Sequence, residues 1–310
     1  MSIGQHQSEN ITVLMPRGCL SRFFQGAQRQ SGRVWNSDTV NVTAFDPTDV
    51  MDFGLDEKTA LVTGGGGRIG SEDCRVLANE GADVVVLDVN LGAAESIADE
   101  INDGDYAGEA HAIECDLTDR EDVAGTVDAL ETETGGIDIL VNNAGLVDAR
   151  DRVENFDDDI WDRDISVNIT GAYNITRQVY PHMKDREWGR IINMSSMAGW
   201  QGGFGQLSYS ATKAAFIGFG KTLALEGAQH GVTSNVIAPS IVVEQLADLP
   251  IDQLEMVDEH FARIAKATPM RKLGKEEDVA NLVAYLSSEQ ANYVTGQVIG
   301  VTGGIDLFSF

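Results

Sequence analysis

A tyrosine and a lysine four residues apart could carry out proton transfer in this chain. They belong to Tyr209-Ser210-Ala211-Thr212-Lys213, and Ser196 lies thirteen residues upstream of the tyrosine. On a helix, side chains four positions apart point to the same side. A nearby ammonium favours a phenolate, so we expect Lys213 to lower the pKa of Tyr209 from its usual value of about 10. Such a phenol would donate and accept protons near neutral pH.

A glycine-rich segment could bind a phosphate group. It reads Thr63-Gly64-Gly65-Gly66-Gly67-Arg68-Ile69-Gly70, follows the predicted strand Ala60–Thr63, and opens a helical stretch to about Glu80. Glycines let the backbone approach a pyrophosphate, and a helix N-terminus supplies N–H groups and positive potential. A glycine cluster alone could be a flexible loop. In this strand–turn–helix context it predicts a dinucleotide-binding site.

An aspartate ends the next predicted strand and bears on the choice of dinucleotide. Asp88 follows the strand Asp83–Leu87 and lies 24 residues after Gly64. A carboxylate there can accept hydrogen bonds from both ribose hydroxyls of NAD and repels a 2′-phosphate. The alternative role is a helix cap, which Asn90 could supply as well. The pattern favours NAD over NADP.

Two further strand ends carry polar or small residues. Asp116-Leu117 follows the predicted strand His111–Cys115 and is placed to meet the adenine edge of a dinucleotide. Asn142-Asn143-Ala144-Gly145 ends the predicted strand Ile137–Val141. Its small residues would let a cofactor lie against the strand, and Asn143 could brace the neighbouring backbone.

Short apolar strands alternate with helical stretches from residue 54 to the C-terminus. Near-continuous Val, Ile and Leu segments separated by helices indicate buried parallel strands joined by crossover helices. We predict an α/β fold with one doubly wound, parallel, seven-stranded sheet over residues 54–310, with ligands at the carboxyl ends of the strands. The remaining predicted elements are strands Arg190–Met194, Thr233–Ala238 and Val298–Val301, and helices opening near Leu91 and over Glu121–Thr134, Asp158–Lys184, Ser208–His230 and Asp278–Ser287.

Charge and composition narrow the classes of partner. The 310 residues include 49 acidic and 22 basic residues, a formal net charge of -27. Such a surface repels nucleic acid and anionic membranes. No apolar run reaches the roughly 20 residues of a membrane helix, and the cysteines and histidines lack metal-site spacing. We therefore expect a small-molecule substrate, and no metal, nucleic acid or membrane partner.

The charge is unevenly distributed along the chain. Residues 1–50 hold four arginines and four acidic residues, so residues 51–310 carry the whole net charge. A body rich in Asp and Glu and poor in Lys stays hydrated where salt screens charge. We expect a salt-adapted (halophilic) cytoplasmic protein, and an ordinary acidic enzyme is the alternative.

Residues 1–53 differ from the rest. They show no sustained periodicity, and the apolar run Ile11–Met15 is too short for a secretory signal. A disordered tail is one interpretation of this extension. The sharper hypothesis is that Met51 is the true start and that the first 50 residues come from an over-long gene assignment.

Taken together, the motifs resemble the short-chain dehydrogenase/reductase family in its single-domain form, with a Rossmann-like fold. The likeness covers about residues 55–305. The motifs that carry it are Thr63-Gly64-x-x-x-Arg68-Ile69-Gly70, Asp88, Asp116, Asn142-Asn143-Ala144-Gly145, Asn168, Ser196, Tyr209-x-x-x-Lys213 and Asn235-x-x-x-Pro239.

The resemblance implies a role for each matched residue. Tyr209 would be the general acid/base, Lys213 would lower its pKa and hold the nicotinamide ribose, and Ser196 would hydrogen-bond the substrate oxygen. Asn168 would hold a water that links Lys213 to solvent. Ser195 lies one residue too early and is expected to bond the backbone in a turn. The implied dinucleotide-binding residues are Gly64, Arg68, Ile69, Gly70, Asp88, Asp116, Leu117, Asn143, Ala144, Gly145, Tyr209, Lys213, Pro239 and Val242.

Three positions depart from the family pattern. Arg68 replaces the usual middle glycine and could lie over the pyrophosphate or the adenosine ribose, which would soften the preference for NAD. Ser240 replaces a glycine after Pro239, and Glu244 stands where a threonine often bonds the nicotinamide amide. NAD remains the expected cofactor because Asp88 would lie close to a 2′-phosphate.

The substrate region is rich in apolar residues. In this family a stretch such as Ile241–Met270, here termed the lid segment, covers the substrate; the alternative is a helix pair packed against the sheet. Four apolar residues between Ser196 and Tyr209 are expected to line the same pocket, which suits an acyl chain or a ring. They are Met197, Trp200, Phe204 and Leu207. Arg150 and Arg152 could dock a phosphate-bearing carrier or could be solvated loop charges.

Within the family the chain is most similar to 3-oxoacyl thioester reductases and hydroxyacyl-CoA dehydrogenases. The resemblance implies an NAD(H)-dependent oxidoreductase that interconverts a secondary alcohol and a ketone, with 3-oxoacyl/3-hydroxyacyl thioesters as substrates. A sugar or polyol dehydrogenase, of the glucose 1-dehydrogenase type, is the alternative enzyme. A non-catalytic NAD-sensing regulator would have little need of all four catalytic-type residues. The two long predicted helices are similar to those that join subunits in family tetramers, so a homotetramer or homodimer is expected.

Overall fold

Four ranges of the chain are described by the structure, a computed structural model: residues 11–16, 40–45, 53–147 and 150–307. The chain divides into two units, residues 1–52 and 53–310. In the first unit, strand β1 (Ile11–Pro16) pairs in parallel with strand β2 (Val40–Phe45). Most of the 1–53 extension lies outside the described residues, so a disordered tail or a start at Met51 stays a prediction.

A parallel sheet of seven strands organises the second unit. Its order is β5-β4-β3-β6-β7-β8-β9, so the chain winds outward from the centre first on one side and then on the other. The doubly wound seven-stranded sheet predicted from the sequence is confirmed. The strands are β3 (Thr59–Thr63), β4 (Asp83–Asp88), β5 (Ala110–Glu114), β6 (Ile139–Asn142), β7 (Gly189–Met194), β8 (Val232–Pro239) and β9 (Val298–Val301).

Helices cover both faces of this sheet and fill the connections. None of those in the described ranges combines the length and the apolar character that a membrane span requires. They are α1 (Arg68–Asn79), α2 (Leu91–Asp103), α3 (Arg120–Thr134), α4 (Asp158–Ile165), α5 (Ala172–Asp185), α6 (Met197–Gln201), α7 (Leu207–Gly227), α8 (Glu244–Ala247), α9 (Ile251–Val257), α10 (Glu259–Ala267) and α11 (Glu276–Ser287).

Local sequence explains several of these boundaries. The Asn90 side chain accepts a hydrogen bond from the Ala93 N–H at 3.3 Å and caps α2. Asp119 caps α3 in the same way, and that helix ends at Gly135, whose φ of 79° is left-handed. The central strands are buried on both sides because each sheet face carries its own apolar cluster.

The single long helix predicted over Asp158–Lys184 contains a π-helical turn. α4 continues into this turn, Ser166–Gly171, and then into α5. A π turn adds a residue to the helical repeat and so changes which side chains face inward. Asn168 lies in this turn and is fully buried, so the irregularity sets the direction of a predicted site residue.

The lid segment folds into the three short helices α8, α9 and α10. Most of its buried apolar side chains form a small cluster with Leu273, distinct from the clusters on the two sheet faces, whereas Val242 belongs to one of the sheet-face clusters. Neither sequence interpretation describes this arrangement fully, because the helices pack mainly on one another. The buried members of the cluster are Ala247, Leu254, Ala262, Ala265 and Leu273.

Candidate active site

A cavity of about 800 Å³ opens at the carboxyl ends of the strands. It lies where the winding reverses between β3 and β6, the place where ligands bind in open α/β sheets. Gly70 and Asn168 are the predicted site residues outside its lining. Those that line it are Gly64, Arg68, Ile69, Asp88, Asp116, Leu117, Asn143, Ala144, Gly145, Ser196, Tyr209, Lys213, Pro239 and Val242.

The turn between β3 and α1 requires glycine for steric reasons. Gly64 has a φ of +64°, and a Cβ there would lie 2.9 Å from the Ala144 Cα. A Cβ on Gly70 would lie 2.3 Å from the Gly64 carbonyl oxygen. The Asn143 amide donates to the carbonyls of Thr63 and Gly64 at 3.1 and 3.2 Å, so the predicted brace is confirmed. The backbone is thereby fixed close to the cavity wall.

The residues around this turn fit a dinucleotide. The first backbone N–H groups of α1 have no partner within their own helix and give its N-terminus a positive potential, which favours a pyrophosphate. Asp88 accepts hydrogen bonds from the N–H groups of Gly66 and Asn90 at 3.1 and 3.0 Å. These bonds hold its carboxylate at the cavity. Asn90 caps α2, so Asp88 does not serve as that cap.

The second strand end on this side is also ordered by hydrogen bonds. The Asp116 carboxylate accepts from the backbone N–H and the hydroxyl of Thr118 at 2.9 and 2.7 Å. The Leu117 carbonyl accepts from the Asn174 amide at 2.9 Å. A Cβ on Gly171 would lie 2.9 Å from the Leu117 Cβ, so glycine permits this close packing.

Three side chains with proton-transfer chemistry meet on the opposite wall. Tyr209 and Lys213 lie one turn apart on α7, and Ser196 caps the short helix α6. The Ser196 and Tyr209 side chains are neighbours, and a hydrogen-bonding interaction between them acts on the pKa of the phenol. The Lys213 ammonium donates to the Met194 carbonyl at 2.7 Å and lies 5.8 Å from the centre of the Tyr209 ring.

The pKa of the phenol shifts in the direction opposite to our expectation. Burial raises the pKa of Tyr209, and the hydrogen bond from Ser196 only opposes this shift. Burial lowers the pKa of Lys213 to about 8. The predicted lowering of the Tyr209 pKa by Lys213 is wrong for this arrangement, because the ammonium is directed to the Met194 carbonyl and desolvation dominates at the phenol. Lys213 instead titrates close to neutral pH.

Asn168 joins the strand end of β6 to α7. Its side-chain oxygen accepts from the Leu146 N–H at 2.7 Å, and its amide donates to the Leu146 carbonyl and the Thr212 hydroxyl at 3.0 and 3.3 Å. A Cβ on Gly145 would lie 3.3 Å from the Lys213 Nζ and 3.4 Å from the Asn168 Oδ1. Asn168 is therefore a close neighbour of the lysine.

Ser195 has the structural role predicted for it. Its hydroxyl donates to the Lys213 carbonyl at 2.6 Å, and its backbone N–H donates to the Ile237 carbonyl at 2.8 Å. The side chain is buried. It ties α7 to the sheet, and both Ser195 and the next residue, Ser196, line the cavity.

The apolar residues expected to line the pocket lie elsewhere. Within the described ranges, the cavity wall contains none of Met197, Trp200, Phe204 and Leu207. The Trp200 ring packs over Gly300, and Phe204 is 85% exposed with the Arg152 guanidinium 5.7 Å from its ring. The expectation is wrong because Trp200 packs against Gly300 of β9, and Phe204, which follows the left-handed turn at Gly202, faces solvent.

Several wall residues were not predicted from the sequence. Most directly follow or precede predicted site residues, so adjacency to a strand end is the signal that could have found them. Arg163 differs, since it lies in α4, five residues before Asn168, and is not adjacent to a strand end. The additional wall residues are Leu87, Val89, Cys115, Thr118, Leu146, Val147, Arg163, Ser166, Val167 and Met194.

Known proteins match this chain in sequence and in fold. A family model described as short chain dehydrogenase matches residues 58–249. The 3-oxoacyl-[acyl-carrier-protein] reductase of Aquifex aeolicus is 35% identical over 82% of this chain and 100% of its own length. The acetoacetyl-CoA reductase of Allochromatium vinosum is 38% identical over 80% of this chain and 98% of its own length. The crystal structure of an NAD+-bound xylitol dehydrogenase matches with a TM-score of 0.73 and 30% identity, over 81% of this chain and 100% of that one.

Proposed function

The chain belongs to the short-chain dehydrogenase/reductase family of oxidoreductases, and we propose that it interconverts a secondary alcohol and a ketone with NAD(H), acting on 3-oxoacyl/3-hydroxyacyl thioesters. One observation carries this proposal. Ser196, Tyr209 and Lys213 line the same cavity as the glycine turn. A proton-transfer group and a dinucleotide site therefore share one space.

Tyr209 is proposed as the general acid/base. A bound nicotinamide dinucleotide supplies or accepts the hydride at the substrate carbon. The Tyr209 hydroxyl donates a proton to the substrate oxygen in reduction and takes it back in oxidation. Ser196 stabilises the charge that develops on the same oxygen by donating a hydrogen bond. The bond between these two hydroxyls supports the assignment because it holds both beside one substrate atom.

Lys213 and Asn168 are proposed to connect the active site to solvent for proton exchange. The ammonium would hold the hydroxyls of the nicotinamide ribose, and its pKa of about 8 lets it exchange a proton near neutral pH. Asn168 would bind a water that connects Lys213 to solvent. The contact of both side chains with the Gly145 position supports this pairing.

NAD is proposed as the preferred dinucleotide. Asp88 would accept both ribose hydroxyls and repel a 2′-phosphate. The Arg68 guanidinium donates to the Val242 carbonyl at 2.7 Å and pairs with Glu276. Because this cation is already committed to a carboxylate, it is poorly suited to compensate a 2′-phosphate. We expect kcat/KM with NAD(H) to exceed kcat/KM with NADP(H) by at least tenfold, in steady-state assays with the same substrate.

Thioesters are proposed as substrates ahead of sugars. The two curated relatives are named for 3-oxoacyl and acetoacetyl thioester reduction. Near the start of α7, the Asp151 N–H donates to the Gly205 carbonyl at 2.9 Å and brings Arg152 beside Phe204. An exposed ring next to a cation suits an acyl chain on a phosphate-bearing carrier. The xylitol dehydrogenase match favours a second candidate, a polyol dehydrogenase.

A substrate panel tests this order. NADH oxidation is measured with acetoacetyl-CoA and with a longer 3-oxoacyl thioester, and NAD reduction with xylitol and gluconate, at low and high KCl. We expect turnover of the thioesters, raised by salt because the charge of -27 is screened. Turnover of the polyols but not of the thioesters would favour the polyol dehydrogenase over the 3-oxoacyl thioester reductase. Binding of NAD without turnover of any alcohol or ketone would favour a non-catalytic NAD-sensing regulator.

Three further proposals concern the oligomeric state, the cellular location and the extent of the catalytic domain. We propose a salt-adapted cytoplasmic homotetramer or homodimer, supported by exposed small residues along α7 and by Leu225, which is 82% exposed on the same helix. Sedimentation velocity at high salt measures the mass. We also propose that residues 54–310 are the catalytic domain, and intact-mass spectrometry of the native protein shows whether residues 1–50 are present.

A further inference from the structure

Arg68 contacts a part of the chain more than 170 residues away. Its Nη2 donates to the Val242 carbonyl at 2.7 Å and also pairs with the Glu276 carboxylate. The two partners of the ion pair differ in exposure: the Arg68 side chain is 61% exposed and that of Glu276 is 5% exposed. The residue that departs from the family glycine therefore reaches from the first turn of α1 to the start of α11.

The same carboxylate also holds the root of the lid segment. The second oxygen of Glu276 accepts from the Glu244 backbone N–H at 2.8 Å, and Glu244 is the first residue of α8. Just before it, Val242 and Val243 form a short parallel bridge with Gly274, with the Val243 N–H donating to the Gly274 carbonyl at 2.9 Å. Glu276 thus bonds both to the glycine-turn helix and to the first residue of the lid helices.

Arg68 also stands between two cavities. It lines the 800 Å³ cavity of the active site and a neighbouring one of about 360 Å³ that contains Glu244 and Glu276. Arg75 lies on the same helix and in the wall of the smaller cavity, but it pairs with Glu72 and Glu100 instead. Of these two arginines, Arg68 bonds the lid root, whereas Arg75 pairs with residues of α1 and α2, so Arg75 is a natural control.

We propose that Arg68 and Glu276 are positioning residues that clasp the root of the lid segment to the dinucleotide-binding turn. The inference rests on the proposed function for its catalytic consequence. Through this clasp, one ion pair connects the glycine turn, where the pyrophosphate would bind, to the lid segment, which would lie over the substrate. A single residue, Arg68, contributes to both.

The difference in exposure predicts an unequal response to mutation. Removal of the arginine leaves a buried carboxylate without its counter-ion, which is strongly unfavourable. Removal of the carboxylate leaves an arginine that can return to water at little cost. Arg68→Gln should therefore release the lid root more than Glu276→Gln. The double variant buries no unpaired charge and should resemble Glu276→Gln.

Hydrogen exchange measured by mass spectrometry on the full, ligand-free chain tests the clasp. For peptides within residues 241–257 we expect exchange about tenfold or more faster in Arg68→Gln. A smaller increase is expected in Glu276→Gln, an intermediate one in Arg68→Lys, and wild-type behaviour in Arg75→Gln. Peptides from β3 and β6 are the internal reference for folding, and their exchange should not change.

Three results would overturn the proposal. They are equal exchange of the lid root in all variants, faster exchange in Arg75→Gln, and a double variant faster than Arg68→Gln. If hydrogen exchange in β3 and β6 also accelerates in Arg68→Gln, that variant has lost global stability. The comparison then uses Glu276→Gln, which keeps the arginine, and Arg68→Lys, which keeps the positive charge. These readouts need no substrate, so they are independent of the substrate panel.

A kinetic measurement tests the positioning role separately. With a substrate that turns over, Glu276→Gln should raise KM more than it lowers kcat. A fall in kcat with KM unchanged would contradict a positioning role.

Discussion

The glycine turn and the lid segment both contribute to the wall of the cavity, but different interactions hold them. In the turn, Gly64 and Gly70 leave no space for a Cβ, and Asn143 bonds two successive carbonyls. The lid segment packs its three helices around a small apolar cluster. Its root is bonded to α1 through the Val242 carbonyl and to α11 through the Glu244 N–H.

This contrast indicates how the cavity can combine a rigid wall at the glycine turn with an adaptable wall at the lid segment. Close-packed backbone cannot shift without a clash, whereas a separate cluster can open without breaking the main core. Segments of low local stability are those that move when ligands enter. The mutations below test whether the two regions are as independent as their packing indicates.

The largest expected effect distinguishes the two apolar clusters. Leu77 lies in α1 within the main core and Leu254 lies in the lid cluster, and both are almost fully buried. Leu77→Ala should lower the global free energy of unfolding by about 2–5 kcal/mol. Leu254→Ala should leave that value nearly unchanged, while hydrogen exchange in α9 and α10 accelerates. Denaturant unfolding and exchange on the same samples measure both, and equal global losses would show that the lid is part of the main cooperative unit.

A pair of helix glycines tests the steric argument for the turn. A Cβ on Gly70 would clash with the Gly64 carbonyl, whereas Gly125 in α3 has no atom within 4 Å of that position. Gly70→Ala should weaken NAD binding by about 10- to 100-fold, the effect of about 1–3 kcal/mol of overpacking. Gly125→Ala should preserve NAD affinity and stabilise the protein by about 0.5–1 kcal/mol. Titration calorimetry and thermal unfolding provide the readouts. Unchanged NAD affinity in Gly70→Ala would show that the turn is not rigid.

Asp73 is a group in the rigid region that opposes stability. It is fully buried on α1, and neither carboxylate oxygen has a hydrogen-bond partner among the described residues. Burial, together with the charge of Glu72, raises its pKa well above the ordinary value of 3.8. The folded state therefore holds this proton more tightly than the unfolded state. The stability that the proton contributes is complete below pH 3.8 and is lost as pH rises through the raised pKa.

Asp73→Asn should remove this pH dependence. The variant should gain stability relative to wild type as pH rises from 4 to 8, by about 1–3 kcal/mol at the upper end. Asp128→Asn, at an exposed position of α3, is the control and should show a difference that does not change with pH. Urea unfolding at several pH values measures both. A constant difference for Asp73→Asn would mean that the carboxyl does not titrate in this range.

Much of the fold could be predicted because it follows from local pattern. The predicted strands agree with β3 to β9 within two residues at each end, since buried parallel strands are continuous apolar runs bounded by polar ends. The glycine turn, the Asn143 brace and the turn role of Ser195 could be predicted from residue type and spacing. Each of these features depends on residues close in sequence or at the ends of neighbouring strands.

What could not be predicted depends on tertiary surroundings. The π turn that buries Asn168 has no periodic signature in the sequence. The raised pKa of Tyr209 results from burial, which residue spacing does not report. The Arg68–Glu276 pair joins residues 208 positions apart. The four apolar residues expected in the pocket lie outside the cavity wall, because hydrophobicity alone does not indicate which surface a side chain packs against.

The role of Tyr209 is the central claim, and single-turnover kinetics of Tyr209→Phe tests it most directly. NADH oxidation with a ketone substrate found by the panel is followed after rapid mixing, and NADH affinity is measured on the same preparation. Tyr293→Phe, at a fully exposed tyrosine, is the control. We expect a rate about 10²- to 10⁴-fold lower than wild type, with NADH affinity changed by less than about threefold. A rate within tenfold of wild type, with the dinucleotide bound normally, would contradict the assignment of Tyr209 as the proton donor.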